Sequence, residues 1–198
     1  MEQVRCFIAI ELPEAIKSGL SRLQAKLKSA SQFSVKWADP YSIHLTLKFL
    51  GNVNVDMTAQ ITEAMAEAAQ GTPPLQLEIK DLGVFPNLRR VQVIWVGVSG
   101  DLDKLLELQK RLETNLAGLG FAPEARSFTP HLTLARVRER ASPEERQKLG
   151  ELIASTKFET GYTFPVNAVS LMRSQLTREG AIYSRISSVA LHLPTTTV

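Results

Sequence analysis

The sequence predicts a mixed helix and strand fold, built as two similar lobes that share one cleft. Three observations carry this. The tetrapeptide His-Leu-Thr-Leu occurs twice, at 44–47 and 131–134, 87 positions apart. Strand-like and helix-like segments follow one another in the same order around each copy. The spacing also agrees: Ile8 lies 36 residues before His44, and Trp95 lies 36 before His131. Outside the shared phrase the residues barely match, so the repeat is one of pattern.

The elements follow from local periodicity. Residues 4–12, VRCFIAIEL, form a short β-prone run closed by Pro13 and read as a buried strand. Ile16, Leu20, Leu23 and Leu27 then recur at helical spacing, with Pro13 and acids suited to the first turn. SIHLTLKFL alternates and ends at Gly51-Asn52, a strand and a turn. Ile61, Met65 and Ala68 mark a second helix over 55–69, and Leu75, Leu77 and Ile79 an alternating strand. In the second half, RRVQVIWVGVSG is a strand. Asp101 is placed to cap a helix carrying Leu105, Leu108, Leu112 and Leu116. PHLTLARV is again a strand. Ser142 and Glu145 have capping-box spacing at the start of a helix reaching about Ser155. YTFPVNAVSLMRSQL and AIYSRISSVAL read as a closing hairpin. The chain is expected to be one bilobal domain with halves of about 1–85 and 86–198.

Composition excludes several classes. With 198 residues, 44% hydrophobic and 22% charged, the chain is an ordinary globular protein large enough for a real core. The net charge of +3 is spread along the chain: 10 Lys/Arg against 9 Asp/Glu in residues 1–99, then 13 against 11. There is no basic arm or acidic tail. A single cysteine, Cys6, precludes an internal disulfide and a cysteine-rich metal site; in its apolar run it reads as a small buried hydrophobe. No segment has the roughly 18 apolar residues of a membrane helix, and the first strand is too short for a signal peptide. A reducing, cytoplasmic location is expected.

The repeated phrase carries the chemistry. Side chains alternate along a strand, so His44 and Thr46 share one face and Leu45 and Leu47 the other; His131, Thr133, Leu132 and Leu134 behave alike. If the lobes face one another, two imidazoles and two hydroxyls line one groove. Imidazole works as acid or base near neutral pH. Phosphoryl transfer prefers attacking and leaving oxygens in line, so an acid and a base belong on opposite sides of the phosphorus. Threonine hydroxyls can hold the non-bridging oxygens. Arg136 would add charge and a planar fork, but strict alternation turns it away from His131 unless the strand bulges. His192 has no partner phrase and reads as a surface or edge residue. No metal is expected, because His-x-Thr gives one good ligand per strand. There is no glycine-rich phosphate loop, nucleophile elbow or dinucleotide fingerprint.

Taken with RCFIAIELPE, IHLTLKFLG, FTPHLTLAR and SQLTREGAIYSRI, the two phrases resemble the two-histidine phosphoesterase superfamily over nearly the whole chain. Within it, the sequence is most similar to the RNA 2′,3′-cyclic phosphodiesterases, also called 2′-5′ RNA ligases. The resemblance implies an α+β, bilobal, pseudo-two-fold fold: two mainly antiparallel sheets facing a central cleft, helices outside. It implies opening of a terminal 2′,3′-cyclic phosphate on RNA to a 2′-phosphate without metal or cofactor, and a reverse activity forming 2′-5′ linkages. It makes His44 the general acid and His131 the general base, an assignment the identical phrases themselves leave open. It makes Thr46, Thr133 and Arg136 phosphate contacts.

Partners expected on this reading are RNA ends carrying a cyclic phosphate, tRNA halves among them, met by a monomer without membrane attachment. Arg89, Arg90, Arg126, Arg138, Arg140, Arg173, Arg178 and Arg185 could follow an RNA backbone. Tyr183 is the candidate for stacking on a base; Trp37 is a weaker one, and alternation assigns Phe49 to the core. Two other readings fit the same residues: an RNA-end binding module without turnover, and the same chemistry on a small nucleotide or a 2′-5′ oligoadenylate.

Overall fold

The structure, a computed structural model, describes residues 2–30, 33–158, 162–178 and 180–192. Two antiparallel sheets organise it. The first has the order β3 (His44–Asn54), β1 (Gln3–Glu11), β8 (Ala168–Leu176), β9 (Ala181–Ala190). The second has the order β2 (Val35–Trp37), β6 (His131–Val137), β5 (Val93–Gly100), β4 (Leu75–Phe85), β7 (Tyr162–Val166). Both phrases begin strands, β3 and β6, and these two strands bring the sheets together. The α+β class with two antiparallel sheets matches the expectation.

The two sheets do not follow the two halves of the chain. β4, after the helix α2 (Thr58–Ala69), joins the second sheet beside β5. β8 returns from the second half to pair with β1. Helices cross over in the same way. α1 (Glu14–Ala30) follows β1 but packs on the second sheet, where Gly19 receives the Tyr162 ring. α3 (Leu102–Ala117) follows β5 but packs on the first sheet and α2. α4 (Pro143–Ser155) packs on β4. One hydrophobic core runs beneath both sheets and includes Leu45, Leu47, Leu132 and Leu134. Each of these four is essentially inaccessible, and burying such a side chain stabilises by about 1.5–3 kcal/mol.

Two local expectations are corrected, and one short strand is added. Residues 162–176 are not one limb of a hairpin: at Asn167 the chain leaves the second sheet, where β7 pairs with β4, and enters the first as β8. Only 168–176 pairs with β9. The short β2 was not foreseen, being only three residues long. Asp101 stands at the N-cap of α3 without capping it, because its carboxylate accepts from the Gln76 N–H at 2.8 Å and pairs with Lys104. Ser142 does cap α4, accepting from Glu145 N–H at 3.1 Å, while the Glu145 carboxylate also takes the Ser34 N–H.

Candidate active site

The phrases do more than alternate. On β3, Ala9 pairs with Thr46 and Ile8 with Lys48, so Leu47 is an extra residue. On β6, Trp95 pairs with Thr133 and Ile94 with Ala135, so Leu134 is extra. Each strand therefore bulges at the final leucine of its phrase, and two consecutive side chains turn inward: Leu47 with Lys48, and Leu134 with Ala135. The next residue is thrown back to the histidine's face. Arg136, opposite Val93, so shares a face with Thr133 and His131. Phe49 takes the matching place on β3 opposite Phe7, with 60% of its surface exposed. This overturns the expected core position of Phe49: alternation fails across a bulge.

The bulged segments are braced from behind. Gln24 of α1 is buried and donates its amide to the Leu134 carbonyl at 3.1 Å and the Ala38 carbonyl at 2.8 Å. Gln109 of α3, also buried, donates to the Leu47 carbonyl at 3.4 Å. Each half thus braces the bulge of the other. Lys48, turned inward by its bulge, pairs with Glu113 at 2.6 Å and donates to the Ala122 carbonyl at 2.9 Å.

The two histidines are held alike. His44 Nδ1 lies 2.9 Å from the Ser42 carbonyl, and His131 Nδ1 lies 2.7 Å from the Thr129 carbonyl. A carbonyl can only accept, so each Nδ1 carries its hydrogen, and Nε2 is the atom that gains or loses a proton. Aromatic rings fix the planes. His44 stacks on Phe7 at 4.5 Å and meets the edge-on Tyr183 at 5.0 Å. His131 meets Phe85 edge to face at 5.1 Å, with Trp95 at 6.4 Å. Among the described residues, neither the Thr46 nor the Thr133 hydroxyl has a hydrogen-bond partner.

The surroundings differ where the sequence phrases do not. The cross-strand partner of His44 is Glu11, whereas that of His131 is Gly97. Glu11 accepts from Arg185 at 2.7 Å and from Ser170 at 2.7 Å. Burial opposes ionisation of Glu11, but these donors outweigh it and hold the carboxyl below its usual range. Burial pulls the His44 imidazole below its ordinary value, while the Ser42 carbonyl and Glu11 work against that shift. A carboxylate thus favours the charged form of His44.

The remaining candidates fall as follows. Tyr183 reaches the histidine face but packs edge-on against both His44 and Phe7, so it is part of the wall around the imidazole. Trp37 is half-buried on the far side of β6, with Lys28 over its ring at 5.4 Å, and does not join the site. Arg185 is tied to Glu11, whereas Arg89 and Arg90 line a cavity beside Trp95. His192 is exposed and bridges to Gln70. Cys6 is buried, and burial raises its thiol. No three His, Cys, Asp or Glu side chains cluster to hold a metal ion among the described residues. Phe7, Glu11, Phe85, Gln24 and Gln109 were not singled out in the sequence. Glu11 was visible only as an acid ending an apolar strand.

Each of the two sheets thus offers a tethered imidazole with a hydroxyl and one further side chain on the same face. The chain belongs to the LigT-like phosphoesterase family, whose model matches it twice, over residues 10–95 and 96–183. It is 38% identical to an RNA 2′,3′-cyclic phosphodiesterase of Methanothermobacter thermautotrophicus over 92% of this chain and 96% of that one. It is 29% identical to an RNA 2′,3′-cyclic phosphodiesterase of Aquifex aeolicus over 96% and 99% of the two chains. Its fold superimposes on E. coli LigT complexed with 3′-AMP with a TM-score of 0.75, at 25% identity and covering 96% and 99% of the chains.

Proposed function

We propose that this protein hydrolyses a terminal 2′,3′-cyclic phosphate on RNA to a 2′-phosphomonoester, using His44 as general acid and His131 as general base. The observation that carries the roles is the unequal pair of neighbours, Glu11 beside His44 and Gly97 beside His131. A neighbouring carboxylate favours the imidazolium that an acid must be, whereas Gly97 brings no carboxylate to its pairing with His131. His131 Nε2 takes a proton from water as its oxygen attacks phosphorus. His44 Nε2 gives a proton to the 3′ oxygen as the P–O3′ bond breaks. The Thr46 and Thr133 hydroxyls and the Arg136 guanidinium hold the non-bridging oxygens, whose charge is greatest in the transition state. The exposed Phe49 ring offers a face to the terminal base, with Tyr183 as the wall behind it. The acting form is a monomer in the cytoplasm, its substrates RNA ends such as tRNA halves, and no cofactor takes part.

The test is turnover of an RNA oligonucleotide ending in a 2′,3′-cyclic phosphate, in excess EDTA, with the phosphomonoester product identified. A 2′-phosphate, lost in both His44→Ala and His131→Ala, is the expected result. Retained activity in either variant overturns the mechanism. Binding of the cyclic end without turnover by the wild type overturns the enzyme reading.

A further inference from the structure

Arg185 meets His44 through one intermediary, Glu11. Its Nε donates to Glu11 Oε2 at 2.7 Å, yet its side chain is 57% exposed. Neither of its terminal nitrogens has a partner among the described residues. Glu11 does not depend on this arginine alone. The buried Ser170 hydroxyl donates to the same oxygen at 2.7 Å and lies 3.4 Å from the Ser188 hydroxyl. The guanidinium can leave without stripping the carboxylate of its last donor.

Register shows where the guanidinium stands. Phe49, Phe7, Met172 and Arg185 are successive cross-strand partners, a row about 14 Å wide at ordinary strand spacing. Phe49 is at the β3 end of the row and Arg185 at the β9 end, from which it reaches back over β8 to Glu11 on β1. Arg173 on β8 pairs with Cys6, whose side chain is in the core, so it belongs to the opposite face. A ribose bears its base and its 5′ carbon at opposite ends of the ring, with the 2′ and 3′ oxygens between them. With the cyclic phosphate at His44 and the base on Phe49, the 5′ oxygen is directed away from β3, toward Arg185.

We propose that Arg185 is a specificity-determining residue shared between two anions: it rests on Glu11 in the free enzyme and moves to the phosphate 5′ of the terminal nucleotide when RNA binds, leaving Glu11 to act on His44. This rests on the reaction and the acid role proposed above. The charged and titratable groups around His44 are Glu11 on β1, Tyr183 and Arg185 on β9, and His131 and Arg136 on β6. Lys17 of α1 acts on Glu11, and Asp39 accepts from the Ser42 hydroxyl beside the imidazole. While Arg185 is on Glu11 the pair is close to neutral, so His44 feels little of the carboxylate. Once a phosphate holds Arg185, the three groups carry a net negative charge, which favours the charged imidazole. Recognition of a strand, as opposed to a lone nucleotide, thereby charges the acid.

The experiment compares adenosine 2′,3′-cyclic phosphate, which has no phosphate on its 5′ oxygen, with a dinucleotide of the same cyclic end, which has one. Both kcat and kcat/KM are followed against pH. In the wild type the alkaline limb of kcat, which reports the bound complex, is expected about 0.5–1 pH unit higher with the dinucleotide. The limb of kcat/KM reports the free enzyme and is expected at the same pH with both substrates. In Arg185→Ala the kcat limb is expected at the higher pH with either substrate, and KM for the dinucleotide is expected to rise about 3- to 10-fold relative to that for the mononucleotide. Limb positions do not depend on how much of a preparation is folded, so a folding defect does not imitate this result. One kcat limb for both substrates in the wild type overturns the proposal and leaves Glu11 and Arg185 as a static ion pair. A dinucleotide shift that survives in Arg185→Ala overturns it too, because the phosphate then acts on His44 unaided. A shift confined to the acid limb makes His44 the base and overturns the roles together with the proposal. No turnover of either substrate sinks the phosphodiesterase reading and this one with it.

Discussion

Gln24 donates a hydrogen bond from α1 to the carbonyl of Leu134, 110 residues away on the strand that carries His131. Leu134 is the bulged residue, and the bulge is what returns Arg136 to the histidine's face. The amide therefore helps decide where a guanidinium stands on the other side of the sheet. Gln24→Leu leaves the Leu134 and Ala38 carbonyls buried without that donor. A loss of about 1–3 kcal/mol in denaturant unfolding is expected, with a larger fall in kcat than Gln109→Leu gives, because no arginine follows the Leu47 bulge. Equal falls in kcat would disprove the link to Arg136.

Lys48 is the price of the matching bulge on β3. Its ammonium is almost wholly buried against Glu113. Removing one member of such a pair strands the other, so Lys48→Met is expected to destabilise by about 3–5 kcal/mol. Lys48→Met combined with Glu113→Leu should recover most of this in the same unfolding experiment. A double variant as unstable as the single one would show that the pairing contributes little.

Glu11, with the Ser42 carbonyl, helps His44 keep its proton against the pull of burial. A general acid must be protonated, so the rate falls as pH rises through its pKa. Burial already lowers that pKa, and Glu11 opposes the shift. In Glu11→Gln the His44 pKa drops further, and the alkaline limb of the pH–rate profile moves to lower pH, with a loss of about 3- to 10-fold at neutral pH. A shift of that limb to higher pH would reverse the assignment. The same lowering bears on stability. The unfolded chain binds a proton that folded His44 resists, so the His44 contribution weakens as pH falls through the ordinary imidazole range. His44→Phe should flatten that part of the stability curve.

Gly83 is set by Trp95. A methyl at this position collides with the indole, so Gly83→Ala is expected to cost about 1–3 kcal/mol and to shift the Trp95 emission. Unchanged fluorescence would mean that the indole does not rest on Gly83.

Much of this was legible in the chain. The paired phrases, the leucines behind them and the order of elements follow from periods of two and 3.6 residues, which are local properties. The bulges are not. Nothing in the letters of HLTLK says that Leu47 and Lys48 both turn inward; that is decided by the register of β1 and by Gln109 from a helix 62 residues on. Phe49 was misplaced for this reason, and Arg136 could be placed on the histidine's face only on condition of a bulge. The difference between the two histidines was hidden as well. It lies in Glu11 and Gly97, which sit on neighbouring strands and meet the phrases only through pairing. The exit of β8 at Asn167 was missed because an uninterrupted β-prone run shows no seam.

The crossing of α1 and α3 onto the opposite sheets has a mechanical consequence. Each helix begins in one half and grips the other, as two hands clasp with fingers interleaved. Prising the groove apart would require pulling Gln24 from Leu134, Gln109 from Leu47 and Lys48 from Glu113 at once. The spacing of the two sheets at β3 and β6 is thereby tied to contacts that form as the chain folds.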